Sequence, residues 1–180
     1  VYVLITSACT FSLWAVGMPF LDSLIHTFSI MGLGGFSSHD ASFGFFDSPA
    51  MEAVAIVFML LAAINFSTHF LAFSGRSLRA YVKDNEAHMV WITMIGSVIL
   101  VACFLWAHQV YPDFLTALRH AAFNVVSIAT TTGLATQDYN LWPAFAPVLM
   151  LFLSCFATAA GSTGGGIKMI RAQLLIKHCF

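Results

Sequence analysis

Long apolar blocks, separated by short polar segments, dominate the chain. Four of the blocks predict membrane-spanning helices, at residues 1–16, 50–73, 89–110 and 143–160. A span needs about 20 apolar residues. The first block is short by that measure and opens the chain in mid-run, so we expect a piece of a longer protein. The pattern predicts an all-α integral membrane protein.

Two further apolar stretches, 18–31 and 113–129, are too short to cross a membrane. Each one stops at a patch rich in glycine or threonine, at 32–38 and 130–136, so we interpret both stretches as re-entrant helices. Non-helical backbone at membrane depth is tolerated only inside protein or beside water. The two patches are therefore expected to line a polar path.

These elements form an internal repeat with an offset of 98 residues. Residues 28–40 align with residues 126–138, and the matching pairs are Ser29/Ser127, Ile30/Ile128, Gly35/Gly133, Ser38/Thr136 and Asp40/Asp138. A proline then opens the following span in each copy, where it costs no helical hydrogen bond. The sequence predicts two repeats, at 1–75 and 89–180, joined by a cytoplasmic linker at 76–88.

The composition is 59% hydrophobic and only 8% charged, against about a quarter charged residues in a soluble domain. This balance excludes an ordinary cytosolic enzyme and a nucleic-acid binder. Six of the seven basic residues fall in two clusters, Arg76 to Lys83 and Lys168 to Lys177, and Arg119 is the exception. Basic residues in short loops mark the cytoplasmic side, so the acidic loops are expected outside, where they would concentrate cations.

The repeated patch suits a passing cation better than a tightly bound metal. Its segments 33–35 and 131–133 have no strong metal-binding side chain but present a row of backbone carbonyls, which glycine allows to aim the same way. Rings of carbonyls replace the water shell of K+ in selectivity filters, and the negative ends of the preceding short helices favour a cation. The alternative is that the glycines only allow close helix packing, but the second copy of the pattern favours the ion site.

A second glycine-rich stretch, 161–168, interrupts the last predicted span near its cytoplasmic half. It is not a Walker A loop, because Ile167 precedes the lysine and no strand leads into it. Three consecutive glycines cost about 1 kcal/mol each in a helix, so a break is predicted that could act as a gate. The alternative is a helix C-cap followed by a cytoplasmic tail. For Ser162 as a hydrolytic nucleophile, the sequence places no partner.

Several of these stretches together resemble a known family. The repeated pore units, Gly-Gly-Phe-Ser-Ser-His-Asp-Ala-Ser-Phe-Gly-Phe-Phe-Asp-Ser-Pro at 34–49, Ser-Gly-Arg-Ser-Leu-Arg-Ala-Tyr at 74–81 and Ala-Gly-Ser-Thr-Gly-Gly-Gly-Ile-Lys-Met-Ile-Arg at 160–171 are similar to the Trk/Ktr/HKT superfamily of K+ transporters. Members of that family carry four repeats of helix, re-entrant pore helix, filter loop and helix around one K+-channel-like pore. This chain resembles the second and third of them.

The resemblance implies a role for each part of the two patches and the loop. Gly35 and Gly133 are the expected filter glycines, and the expected gate is the intramembrane loop at 161–168. The flanking carbonyls of the filter are expected to be transient K+ ligands, and they belong to Leu33, Gly34, Thr131 and Thr132. The residues expected to form the gate are Gly161, Gly164, Gly165, Gly166 and Lys168. The first filter has Leu33-Gly34 where the second has Thr131-Thr132, a difference of side chains that need not alter a carbonyl site.

The resemblance also implies potassium uptake across a bacterial inner membrane, as ion transport or symport rather than enzymatic catalysis. K+ is then the transported ion, and no cofactor and no nucleic-acid partner are expected. The implied partners are the lipid bilayer, a second copy in a homodimer, and a cytosolic nucleotide-binding regulatory subunit of the Trk type. Two other classes stay open on the residues alone: a non-transporting membrane packing module and an intramembrane serine hydrolase.

Overall fold

The computed structural model describes residues 1–76 and 79–179. Ser77 and Leu78 of the predicted linker, and Phe180 of the second predicted repeat, lie outside the described residues. Within the described part the regular structure is helical: α1 (Tyr2–Ala15), α2 (Phe20–Gly32), α3 (Pro49–Ala63), α4 (Phe66–Ser74), α5 (Arg79–Lys83), α6 (Asn85–Ala107), α7 (Phe114–Ala129), α8 (Phe145–Ser154) and α9 (Met169–Cys179), with 3-10 turns at Ser42–Phe45 and Tyr139–Leu141. The predicted all-α class is confirmed.

The two short helices α2 and α7 lie within two residues of the stretches predicted as re-entrant. Each one is followed by non-helical backbone at the patch, as expected from the Gly and Thr content there. Helix α2 packs against α1 and α3, and α7 packs against α6, α8 and also α3. The second pore helix therefore contacts both halves of the chain.

The buried core falls into two clusters that meet at α7. Phe123 of α7 is fully buried in the cluster built mainly by α1, α2 and α3, and its ring centroid lies 5.0 Å from that of Phe43. The opposite side of the same helix, including Ala117, Ala121 and Val125, belongs to the cluster built with α6 and α8. The two repeats therefore share core packing along one helix.

An ion-paired cluster also joins the repeats, near the N-terminal ends of α3 and α7. The Arg119 guanidinium donates to both carboxylate oxygens of Glu52, at 2.9 and 2.7 Å, and to Asp47 at 2.8 Å. The Glu52 side chain is only 3% exposed, whereas that of Asp47 is 78% exposed. Arg119, the one basic residue outside the two clusters, thus compensates a buried carboxylate.

Among the described residues, α6 is the one uninterrupted helix that is long and apolar enough to cross a membrane, and it corresponds to the predicted span at 89–110. The prediction of one helix over 50–73 is wrong, because α3 and α4 meet at an angle of 96°. Ile64 is extended at the break, the Asn65 side chain accepts from the Ser67 amide, and the Phe66 N–H donates to the Gly161 carbonyl. A polar cap inside the apolar run therefore starts a new helix.

The predicted span at 143–160 is also interrupted, earlier than expected. Helix α8 ends at Ser154, and residues 155–168 form a loop before α9 begins at Met169. The chain folds back on itself there: the Ile167 N–H donates to the Cys155 carbonyl at 2.6 Å, and the Met169 N–H donates to the Thr158 carbonyl at 2.8 Å. These bonds replace the helical bonds that α8 would have made by continuing. We call residues 155–168 the glycine loop.

Candidate ion pathway and glycine loop

The two pore helices end in the same backbone motif, displaced by 98 residues. At the end of α2 the Gly34 N–H donates to the Ser29 carbonyl at 2.9 Å, and the Leu33 N–H donates to the Ile30 carbonyl at 3.3 Å. At the end of α7 the corresponding bonds run from Thr132 to Ser127 at 2.8 Å and from Thr131 to Ile128 at 2.9 Å. These are the paired bonds of a Schellman motif. They satisfy the last helical carbonyls and turn the chain away from the helix axis.

The residue that closes each motif is left-handed although it is not glycine. Leu33 has a φ of 50° and Thr131 a φ of 66°, and the following glycines, Gly35 and Gly133, have φ values of 73° and 84°. A left-handed β-branched or bulky residue is a strained exception, and such strain persists where the surrounding structure imposes it. In both patches left-handed residues alternate with residues of negative φ.

The two patches lie against each other. A β-carbon added to Gly35 would collide with the carbonyl oxygen of Thr132 and would lie 3.4 Å from the Gly133 backbone. Gly34 and Gly133 are exposed, and Gly35 and Thr131 are half-buried, whereas Leu33 and Thr132 point into the protein. Among the described residues, no hydrogen bond reaches the carbonyls of 33–35 or 131–133. Within that part of the chain, those oxygens have no protein donor.

The side chains that support the second patch are hydrogen-bonded behind it. Asn124 of α7 donates to the Thr136 hydroxyl at 3.0 Å, and the Ser127 hydroxyl donates to the Leu134 carbonyl at 2.6 Å. The hydroxyls of Thr130 and Thr132 lie 2.7 Å apart. These bonds hold the backbone on both sides of Gly133.

The first patch has a different support. His26, which corresponds to Asn124, has its Nε2 3.0 Å from the Ser37 hydroxyl. Gly32 and Gly34 replace the threonine pair, and the Ser29 hydroxyl is buried with no hydrogen-bond partner in the part of the chain that the structure describes. The backbone path is therefore repeated, but the side-chain framework around it is not.

The glycine loop is hydrogen-bonded to both pore segments. The Gly165 N–H donates to the Thr131 hydroxyl at 2.8 Å, and the Thr163 hydroxyl donates to the Met31 carbonyl at 2.9 Å, two residues before Leu33. The loop thus lies directly beside the two patches and joins them on one side.

Close backbone packing explains two of the glycines in the loop. A β-carbon on Gly166, whose φ is 84°, would lie 2.5 Å from the Cys155 carbonyl oxygen. A β-carbon on Gly161, whose φ is 79°, would lie 2.6 Å from the Asn65 amide oxygen. The loop conformation therefore requires glycine at these positions, both for space and for backbone geometry.

Comparison with known proteins identifies the family. Residues 1–179 match the family model of TrkH, described as a cation transport protein. The chain belongs to the TrkH family. The expected resemblance is thereby confirmed, and it extends over practically the whole chain.

Several members of the TrkH family are similar to this chain. It is 45% identical over 178 residues to the Trk system potassium uptake protein TrkH of Salmonella typhimurium and 36% identical over 177 residues to TrkG of Escherichia coli, covering 99% and 98% of this chain. The crystal structure of the potassium transporter TrkH from Vibrio parahaemolyticus matches with a TM-score of 0.93 and 41% identity, over 97% of this chain and 38% of that one. The chain spans about 37% of the length of the curated relatives.

In this TrkH-family chain, the sequence-predicted gate residues share one loop but have different surroundings. Gly164 is buried, Gly161, Gly165 and Gly166 are exposed, and Lys168 is half-buried. The Lys168 ammonium donates to the Gly164 carbonyl within the loop and lies 3.5 Å from the Ser162 hydroxyl. That hydroxyl donates to the Ala159 carbonyl at 2.6 Å, so its proton is directed away from the amine. The arrangement therefore favours a lysine that stabilises the loop conformation over a Ser–Lys catalytic pair.

A histidine joins helices next to the linker. His69 of α4 has Nε2 2.8 Å from the Leu61 carbonyl and Nδ1 2.6 Å from the Tyr81 hydroxyl. Because a carbonyl can only accept, Nε2 carries the hydrogen and the tyrosine donates to Nδ1 of the neutral ring. Burial raises the pKa of Tyr81, which keeps that hydroxyl protonated. The His69 ring therefore connects α4 to α3 and to α5.

Sequence reasoning missed one functional candidate, Glu86 in the first turn of α6. Its carboxylate accepts one backbone N–H from the glycine loop and one from the first turn of α9, 74 and 84 residues further along the chain. Glu86 stands in a polar linker of the sequence and looks like an ordinary first-turn acid. No spacing in the sequence points to its partners.

Proposed function

We propose that the chain forms two pore segments of a potassium uptake protein in a bacterial inner membrane. The carbonyls of Leu33, Gly34 and Gly35, and of Thr131, Thr132 and Gly133, are its transient K+ ligands. The observation that carries the proposal is the repeated backbone motif, in which two adjacent segments have the same left-handed positions and unpaired carbonyls. The names of the relatives, which are potassium uptake proteins, support K+ as the ion.

The driving force in this proposal is the membrane potential. An inside-negative potential of about 100 mV contributes about 2.3 kcal/mol per charge that moves inward. That free energy corresponds to roughly fifty-fold accumulation of K+. Uptake by this route needs neither a cofactor nor covalent chemistry.

The glycine loop is the gate in this proposal, and Gly161, Gly164, Gly165, Gly166 and Lys168 belong to its moving part. Its hydrogen bonds to Thr131 and Met31 support that role, because a movement of the loop changes contacts of both pore segments. We further propose that the two basic clusters face the cytoplasm, where a nucleotide-binding regulatory subunit acts, and that the complete transporter is a homodimer. The repeats then correspond to 1–75 and 89–180, with 76–88 as the linker.

The test uses a full-length chimaera, in which this 180-residue segment replaces the matching segment of Salmonella typhimurium TrkH. We expect the chimaera to restore growth at low K+ in uptake-deficient cells and to take up rubidium. Gly133→Asp should abolish both, because a carboxylate would stand beside the carbonyl path. Rubidium uptake unchanged by this substitution, at equal protein levels in the membrane, would remove the segment from the pathway.

The two alternative classes give different outcomes in the same cells. A membrane packing module predicts that the chimaera is inserted but carries no rubidium. An intramembrane hydrolase predicts that Ser162→Ala abolishes an activity independent of rubidium flux. We expect Ser162→Ala to leave rubidium uptake close to that of the chimaera.

A further inference from the structure

One carboxylate oxygen connects the middle of the glycine loop to the first turn of α9. Oε1 of Glu86 accepts the backbone N–H of Ala160 at 2.8 Å and that of Ile170 at 3.0 Å. Ala160 directly precedes Gly161, and Ile170 lies in the first turn of α9. The eleven-residue stretch from 160 to 170, which contains all four glycines of the loop, is closed by this oxygen.

The local structure of α6 does not require these two bonds. Its first turn is already capped by Asp84, whose Oδ1 accepts the Glu86 N–H at 3.0 Å and the Ala87 N–H at 3.1 Å. The Glu86 carboxylate therefore contributes to the loop and not to the start of its own helix. Hydrogen bonds to an ionised acceptor are about twice as strong as neutral ones, so the pair is a strong attachment.

This attachment connects the loop to the linker side of the molecule. Of the loop's other bonds described above, two run to the pore segments, through Thr131 and Met31, and one runs to Phe66 at the start of α4. Glu86 lies in the predicted linker itself, and the neighbouring Asp84 accepts from the Thr68 hydroxyl of α4 at 2.6 Å. A displacement of the linker would therefore pull on the loop through the Glu86 side chain.

An open cleft of about 390 Å³ lies next to the carboxylate, between the start of α6 and α9. It is lined in part by Asn85, Glu86 and Gln173. The side chain can swing into this space without displacing the core. Release of the loop is therefore possible without unfolding its surroundings.

We propose that Glu86 is a positioning residue that latches the glycine loop in the conformation seen here and transmits linker movement to it. The latch requires an oxygen acceptor at the reach of a glutamate side chain. The consequence for transport rests on the proposed function, because it assumes that the loop is the gate.

The test measures loop release and transport separately in the chimaera, purified into liposomes. Loop release is the rate at which a water-soluble thiol reagent modifies Ser162→Cys, with the other cysteines replaced by serine. Hydrogen exchange of the Ala160 and Ile170 amides gives a second measure that needs no cysteine. Transport is rubidium flux from the same liposomes.

Three substitutions of Glu86 separate the effect of side-chain length from the effect of side-chain charge. Glu86→Ala removes the acceptor, Glu86→Asp keeps the charge but is one methylene shorter, and Glu86→Gln keeps an oxygen at full reach. We expect alanine and aspartate to raise the rate of loop release and the rubidium flux about tenfold or more. Each lost bond to an ionised acceptor contributes substantially to holding the loop. Glutamine, whose neutral oxygen still reaches both N–H groups but binds them more weakly, should raise these rates less than alanine or aspartate does. The control is Asn85→Ala, an exposed neighbour, which should change neither rate.

Two results would overturn the latch. One is an exchange and modification rate in Glu86→Ala equal to that of the parent. The other is the reverse order, with glutamine releasing the loop and aspartate holding it, which would show a charge effect in place of the backbone bonds. Faster loop release without any change in rubidium flux would leave the latch standing and refute the loop as the gate.

Discussion

Replacing single glycines in the two patches should have unequal effects, although the two positions are equivalent by sequence. Gly35→Ala places a β-carbon against the Thr132 carbonyl oxygen, whereas Gly133→Ala meets nothing closer than the Gly35 α-carbon at 3.8 Å. A third glycine, Gly32, ends α2 with nothing within 4 Å of an added β-carbon and without a positive φ, so Gly32→Ala is the matched control.

The magnitudes follow from backbone conformation and from space. Gly35 and Gly133 both have positive φ, so alanine costs each about 1–2 kcal/mol in left-handed backbone strain. Only Gly35→Ala must also displace backbone, because the colliding atom is a carbonyl oxygen and not the end of a flexible side chain. That oxygen is a proposed ion ligand, and its displacement by several tenths of an ångström acts on the ion site itself.

The assay is the ratio of rubidium to sodium uptake by the chimaera, normalised to the amount of protein in the membrane. We expect Gly35→Ala to lower the ratio by about tenfold or more, equivalent to about 1.4 kcal/mol. Gly133→Ala should lower protein levels but change the ratio much less, and Gly32→Ala should change neither. Equal loss of selectivity at both positions would refute the reasoning, because the contact with the Thr132 carbonyl would then not matter.

Two further substitutions test the packing around the pathway. Arg119→Met in the chimaera should lower the free energy of unfolding by about 3 kcal/mol, since it leaves the buried Glu52 carboxylate unpaired. Arg119→Met with Glu52→Met should recover most of that loss, and melting curves in detergent that show no recovery would contradict the assignment. Gly164→Ala should cost about 1–3 kcal/mol by overpacking, because its β-carbon would lie 2.5 Å from the Thr158 methyl group. Gly165→Ala, with no contact closer than 3.4 Å, should melt close to the parent, and the opposite order would be inconsistent with the loop described here.

The sequence predicts the pore helices well and the spanning helices less well. Helices α2 and α7 end where an apolar run meets glycine or threonine, a local signal that tertiary contacts do not override. The break at Asn65 is local too, because asparagine is a preferred N-cap residue. Its side chain accepts the Ser67 N–H in the first turn of α4. That signal is hidden by the apolar residues around it, because hydropathy alone treats 50–73 as one span.

Other features could not be predicted because they depend on contacts between distant residues. Leucine and threonine disfavour left-handed backbone, so no propensity predicts the conformations of Leu33 and Thr131. The early end of α8 depends on Cys155 accepting from Ile167, and the role of Glu86 depends on an approach of α6 to the loop. The candidate site could thus be placed by composition and repetition, but the attachments of the loop required the structure.

The unequal side chains behind two nearly identical backbone segments have a consequence for how such a pore can change. In a channel built from identical subunits, one substitution alters every side of the ion path at once. In the ion path proposed above, a substitution at His26 or at Asn124 would alter one side and leave the other as it was. Ion preference can therefore be adjusted in small steps, and a mildly harmful change on one side can be tolerated until a second change elsewhere compensates for it.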